Sequence, residues 1–415
     1  MRQLLQGIRV VEWAVLLNGG LAGALLGDVG ADVIKVEDPV RGDYLRDMMG
    51  QIVPHHSPAH LQVNRQKRSL TIDLRSDEGK DVFWRLLDTA DVFVDGYTAG
   101  VADRLGIGYD AQRGRRPGIV YCQHSGFGAS GPYGEIPTHG FMQESLAAMT
   151  PMEVGPDGYP RHKEVEFAFA PAMARAGGSS VSGGALQCAF HVAAALVRRE
   201  RTGEGCVIDI SAAEAAIANA FPTVTYDLND ARITDRMGLP EGNVTATGPE
   251  ASVRYQYYET ADGKFILFCA IEPKFWTRFC EAVERPDLAV NTTEAVEWAS
   301  GDVPLRKTVM EIFRSRSLDE WLALSAKWRL PIGPVYDRPT DLPHDAQLRS
   351  RQIFHEAEHP VAGPFSYVGS PAVIADQPYE VAHHAPQHGQ HTAELLSELG
   401  YSPAEQQQLA ERGVV

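Results

Sequence analysis

Short apolar, β-branched runs alternate with helix-patterned segments along the first half of the chain. Residues 7–37 read as a strand, a tight turn at Gly19 and Gly20, a helix of small residues and a second strand, which together make one βαβ unit. Residues 69–74 read as another strand. Residues 77–90 read as an amphipathic helix with Val82, Phe83, Leu86 and Leu87 on one face, and 91–96 and 119–124 as two further strands. Strands separated by helices predict an α/β fold with a parallel, doubly wound sheet. Such sheets take ligands beside strand ends and helix N-termini, where free backbone N–H groups favour anions. A glycine-turned, arginine-bearing loop at 38–47 follows the second strand, so a phosphate-bearing ligand is expected there.

Residues 140–182 carry Pro151, Gly155, Pro156, Gly158, Pro160 and Pro171, and are expected to be mostly loop. Residues 183–199 form a helix that is small or apolar nearly all round, which implies burial. A strand at 206–210 and a capping box at Ser211 and Glu214 come next. From Thr223 the character shifts to acidic and polar, followed by a hairpin at 254–270 turning at 261–264 and helices at 275–283 and 317–328. From Leu342 short strands precede a helix at 392–399 and a box at Ser402 and Glu405. The expected division is 1–222, a smaller α+β domain at 223–341, and a return at 342–415.

At 415 residues two domains are the prior. The formal charge of −16, from 38 basic and 54 acidic residues, argues against a nucleic-acid or anionic-membrane surface, so any phosphate site must be local. Five widely spaced cysteines form no Cys-x-x-Cys pair, which fits reduced thiols and no metal site. No signal peptide is recognisable and no apolar run reaches membrane-spanning length. A cytoplasmic protein is expected.

Residues 25–46, of the form LLxDxGADVIKVExPxxGDxxR, and the run NRQKRSLTIDL at 64–74 resemble the class III coenzyme A transferases, the CaiB/BaiF family. Similar runs follow at 90–110, 119–134, 198–211, 262–276 and 319–337. The resemblance implies a large Rossmann-like domain split by a small inserted one, two chains interlocked as a dimer, and coenzyme A or acyl-CoA as substrate rather than as a permanently bound cofactor. It also implies that basic residues of the first two segments lie by the coenzyme A phosphates. The corresponding candidates are Arg41, Arg46, Lys67 and Arg68, with Gly19 and Gly20 shaping the turn; arginine suits bidentate phosphate contacts. Glu37 stands where a dinucleotide fold would carry its ribose-binding acid, but no strict Gly-x-Gly-x-x-Gly precedes it. Where the family commonly reads ENFRPG this chain has DGYTAG, so Thr98 replaces an arginine.

In active members of the family an aspartate shortly before the helix ending in RERTG attacks the thioester and carries the acyl group as a mixed anhydride. A carboxylate suits this role because it is both nucleophile and, once acylated, leaving group. Counting back from Arg199 reaches Val181, or Ser180 with a shift of one, and no aspartate occurs between Gly158 and Gly205. Three readings stay open. The carboxylate is displaced to Glu164 or Glu166; one of Ser179, Ser180 and Ser182 acts; or the chain works beside an aspartate-bearing paralogue as a heteromer, or only binds acyl-CoA. His139 stands where the family's α-methylacyl-CoA racemases carry a proton-transfer histidine, which defines a racemase alternative.

Overall fold

A computed structural model of the chain describes residues 3–162, 179–234, 252–289 and 302–415. The described residues divide into two compact units, one from residues up to 162, 179–219 and 346–415, the other from 220–234, 252–289 and 302–345.

The first unit is built on six parallel strands. They are β1 (Arg9–Trp13), β2 (Asp32–Glu37), β3 (Lys67–Thr71), β4 (Val92–Asp95), β5 (Val120–Ser125) and, after a short hairpin of β6 (Met152–Val154) and β7 (Pro160–His162), β8 (Cys206–Ser211). The order is β3-β2-β1-β4-β5-β8, so the winding reverses between β1 and β4. Both faces are covered, as a parallel sheet requires. On one face Val11, Ile34, Val36, Leu70 and Phe93 pack on α3 (Asp77–Leu87) through Val82, Phe83, Leu86 and Leu87. Burying each of those leucines contributes about 1.5–3 kcal/mol. On the other, Val10, Val33, Val92, Val94 and Val120 meet α1 (Leu16–Asp28) and the long helix Ser179–Thr202. This is the mixed α/β, doubly wound architecture that the strand–helix alternation predicts.

Four short helices, α2 (Pro58–Val63), α4 (Val101–Leu105), α5 (Tyr109–Arg115) and α6 (Gly140–Leu146), precede that long helix, α7, and α8 (Ala212–Asn219) follows it. Two details depart from the sequence reading. The stretch expected to be mostly loop contains α6 and the β6–β7 hairpin, because Pro151, Pro156 and Pro160 fall between these elements or at a strand end. Helix α7 begins at Ser179, earlier than Gly183, and by length and composition it is able to span a bilayer, with a mean hydropathy of 1.4 over its most apolar stretch. Scanning for uninterrupted apolar runs passes over it because Ser, Gln and His break the run. Half of that stretch is buried in the protein, where α7 packs on α1 and β5.

The second unit contains α9 (Phe221–Asn229) and a three-stranded antiparallel sheet in which β9 (Tyr255–Glu259) and β10 (Phe265–Cys269) form the expected hairpin and β11 (Ile332–Val335) pairs with β10. Helices α10 (Pro273–Ala282), α11 (Val303–Phe313) and α12 (Leu318–Trp328) enclose an aromatic core of Phe268, Trp276, Phe279, Phe313 and Trp321. The capping box of Ser317 and Glu320 opens α12.

The chain then returns to the first unit through α13 (Ala346–Ser350), the hairpin β12 (Phe354–His359) and β13 (Gly363–Val368), α14 (Thr392–Glu398) and α15 (Pro403–Glu411). This segment covers the outer edge of β3. His391 N donates to Ser69 O at 3.0 Å, Thr71 N donates to Thr392 Oγ1 at 3.2 Å, and Asp73 N donates to Val414 O at 2.7 Å.

Candidate functional site

The β1/β4 reversal marks the crevice where open α/β sheets receive ligands, outside the strands' carboxyl ends. The backbones there approach closely. A Cβ on Gly19 would lie 2.1 Å from Ala14 Cβ, and one on Gly96, just past β4, would lie 2.4 Å from the same atom. A Cβ on Gly20 would lie 3.0 Å from Val63 Cγ2. Both candidate glycines sit inside α1 and are buried, so packing alone accounts for them.

Behind this edge lies a fully buried ion network. Lys67 donates to Glu12 Oε1 and Oε2 at 2.9 and 2.8 Å, to Gly20 O at 2.7 Å and to Asn64 Oδ1 at 2.9 Å. Lys35 reaches Glu12 at 3.3 Å, Asp43 at 3.0 Å and Ala14 O at 2.7 Å. Arg46 forks onto Glu37 at 2.9 and 3.1 Å and donates to Pro386 O. Burial would push the Glu37 carboxyl up, but Arg46 and Lys35 outweigh it and hold it at about 2. Asp43 likewise sits at about 2, against its burial, through Lys35 and the Leu16 and Leu45 N–H groups. Burial depresses Lys67 to about 8 in spite of Glu12. Asp43 thereby ties the arginine-bearing loop to the first residue of α1, which it caps at 3.0 Å.

The four candidate cations therefore separate. Lys67 and Arg46 have internal partners. Arg68 is in the opening half of β3, in register with Ile34, and grips Asp32, Glu394 and Glu398 at 2.7, 2.9 and 2.6 Å. Arg41 is exposed at the carboxyl edge. Two cations that the sequence reading passed over share that edge. Arg75, just beyond β3, bridges Asp38 and Asp73 at 3.1 and 2.7 Å, and Arg104 lies against Gly100 in the loop after β4. Their signal was position: each closely follows a strand's carboxyl end. Glu37, held by Arg46 and Ser69, is not oriented toward a ribose. Thr98 precedes α4 and accepts from Val101 N.

The other half of the site is where α6 meets the start of α7. Ser180 is fully buried and its hydroxyl donates to Glu144 Oε1 at 3.5 Å. Val181 is half-buried, its Cγ2 facing Gly140. His139 is exposed at the N-cap of α6 and makes no side-chain cap. Gln143 ties α6 to the first turn of α1, accepting from Asn18 Nδ2 at 3.2 Å and donating to Thr138 Oγ1 at 3.2 Å. The glycine loop of residues 126–134 is pinned by Asp209, which accepts from Ala129 N at 2.8 Å. Glu164 and Glu166 lie outside the described residues. The sequence reading missed Glu144, the one acid of α6, which stands between the polar residues Gln143 and Ser145.

A parallel doubly wound sheet with a strand-order reversal is the architecture in which open α/β proteins receive ligands at the reversal. Residues 5–392 match CoA-transferase family III, and the chain belongs to that family. It is 28% identical to the formyl-CoA:oxalate CoA-transferase of Streptomyces avermitilis over the full length of both. It is 26% identical to human succinyl-CoA:glutarate CoA-transferase, covering 99% of this chain and 90% of that one. Among solved structures, an aspartate-to-alanine variant of Rv3272 from Mycobacterium tuberculosis superposes with a TM-score of 0.72 at 26% identity, covering 94% of this chain and 98% of that one. A CaiB/BaiF family protein from Brucella suis gives 0.70 at 25% identity, covering 96% and 100%.

Proposed function

We propose that this chain binds an acyl-CoA thioester at the carboxyl edge of its parallel sheet and takes part in moving coenzyme A between carboxylic acids. The observation that carries this reading is the family match across residues 5–392, on a chain whose carboxyl edge carries the exposed cations Arg41 after β2 and Arg75 after β3, on the β2 side of the β1/β4 reversal. Isothermal calorimetry with acetyl-CoA and succinyl-CoA tests it. Arg41→Ala combined with Arg75→Ala should weaken binding roughly tenfold, since exposed charge contacts are worth little singly and more together. No binding at millimolar ligand by the unmodified chain would sink the reading.

One observation favours a second reading, in which an aspartate-bearing paralogue supplies the nucleophile. No aspartate occurs between Gly158 and Gly205, and α7 exposes an apolar stripe of Leu186, Phe190 and Val197 that suits a chain partner, whether a second copy or the paralogue. Under this reading the purified chain exchanges coenzyme A between acids only when the paralogue is added; robust turnover alone contradicts it. Racemase chemistry at His139 has less support, because the aspartate that racemases pair with that histidine is also replaced here.

A further inference from the structure

Among the described residues, buried carboxylates have strong partners, with one exception. Glu12 has Lys35 and Lys67, Glu37 has Arg46, Asp28 has Arg65, and Asp95 has the Tyr121 hydroxyl at 2.6 Å and Tyr97 N at 2.9 Å. Glu144 is 5% exposed, and among the described residues its side chain has only the long 3.5 Å contact from Ser180. A carboxylate withdrawn from water without a cation or short donors is costly, and such groups concentrate where chemistry is done. Ser180 is also one of the two positions reached by counting back to the family's aspartate.

A second unsatisfied group borders the same helix face. His124, at the end of β5, is fully buried and neither ring nitrogen has a partner among the described residues. Its Nε2 abuts Gly184, where a Cβ would come within 2.4 Å, and Gly184 lies one turn beyond Ser180 on α7. Burial alone lowers the imidazole to about 4, so at neutral pH it is uncharged and keeps one N–H able to donate to an oxygen. Gln143, beside Glu144, fixes α6 to the first turn of α1 at the strand-order reversal.

We propose that Glu144 is the carboxylate that accepts the acyl group in this chain, acting from α6 in place of the aspartate that relatives carry before α7. This rests on the coenzyme A transfer reading above. A Glu144 oxygen attacks the donor thioester carbonyl, the C–S bond breaks with its electron pair leaving on the coenzyme A thiolate, and a mixed anhydride forms. The thiolate attacks the glutamyl carbonyl, expelling the donor acid as carboxylate and leaving a glutamyl thioester. The acceptor carboxylate attacks that thioester and expels the thiolate, giving a second anhydride. The thiolate then attacks the acceptor acyl carbon, forming the new acyl-CoA and restoring Glu144. No external oxidant or proton is consumed.

The test uses the full chain alone, with acetyl-CoA and succinyl-CoA as donors and a panel of carboxylic acids as acceptors. Exchange is expected from the unmodified chain. Glu144→Gln should lower kcat by at least about a thousandfold while acyl-CoA binding, measured by calorimetry, changes less than about threefold. Glu144→Asp should keep part of the activity, which separates the role from folding. Hydroxylamine added during turnover should leave its hydroxamate on Glu144 in peptide maps. Full exchange by Glu144→Gln, or a hydroxamate on Glu164 or Glu166, overturns the proposal. Acyl-CoA binding without exchange until an aspartate-bearing paralogue is added overturns it too and leaves coenzyme A transfer standing, whereas no acyl-CoA binding overturns both.

Discussion

Replacing Glu12 by Gln should cost about 3–5 kcal/mol of folding stability, the usual penalty for leaving a buried charge uncompensated. Against a total of about 5–15 kcal/mol, that is enough to leave the variant marginal. Glu12 is wholly buried and accepts from both Lys67 and Lys35. With the carboxylate gone, Lys67 loses its only ion-pair partner among the described residues, and Lys35 keeps Asp43 as its close one there. The denaturant midpoint reports the loss. A second variant, Glu12→Gln with Lys67→Met, removes both members of the closest pair and should recover a substantial part of it. If Glu12→Gln alone shifts stability by less than about 1 kcal/mol, the lysines are neutral in the folded protein and the network is not ionic.

Acid should destabilise the first unit from about pH 6.5 downward, through its buried histidines. Burial, joined by Arg46, holds His60 at about 3, and burial holds His124 at about 4, against an ordinary 6.5. Below pH 6.5 the unfolded chain takes up protons that the folded chain refuses, so stability falls as pH drops toward these values. Asp95 opposes this. Burial raises it to about 6 from 3.8, so it binds a proton preferentially in the folded state and stabilises that state as pH falls through the interval. Glu37 adds a later loss. Its contribution is complete above 4.5 and disappears as pH falls toward its folded value of about 2. The balance is a loss on the order of 4 kcal/mol between pH 7 and pH 4, read as a falling urea midpoint. His124→Leu should flatten the curve between pH 6.5 and 4. A midpoint at pH 4 equal to that at pH 7 would refute the assignment of buried, neutral histidines.

The alternation of β-branched runs and amphipathic segments was enough to predict the parallel sheet, because both periodicities are local properties of the chain. The α3 face of Val82, Phe83, Leu86 and Leu87 packs as its spacing implies. The cations were harder to place from sequence. Arg41, Arg46, Lys67 and Arg68 look alike as letters, yet one is exposed at the ligand edge, two are buried in ion pairs and one grips acids on β2 and α14. What separates them is strand direction and the depth of Glu12 and Glu37, and both depend on contacts between distant parts of the chain. Glu144 was hidden for a related reason. It lies in a stretch dominated by proline and glycine, and its contact is with Ser180, 36 residues away. Its neighbours Gln143 and Ser145 are polar, so nothing local in the sequence marks the acid as buried.

The cover over the outer edge of β3 bears on how the protein is made. Ser69 N donates to His391 Nδ1, which lies 322 residues further along the chain. At cellular translation rates of about 5–20 residues per second, that edge emerges from the ribosome roughly 15–60 s before the segment that caps it. Throughout that interval the strand presents unpaired N–H groups, the geometry by which unrelated nascent chains zip together. The sheet cannot be completed vectorially, so the yield of soluble protein depends on how well the half-made molecule is shielded during its own synthesis.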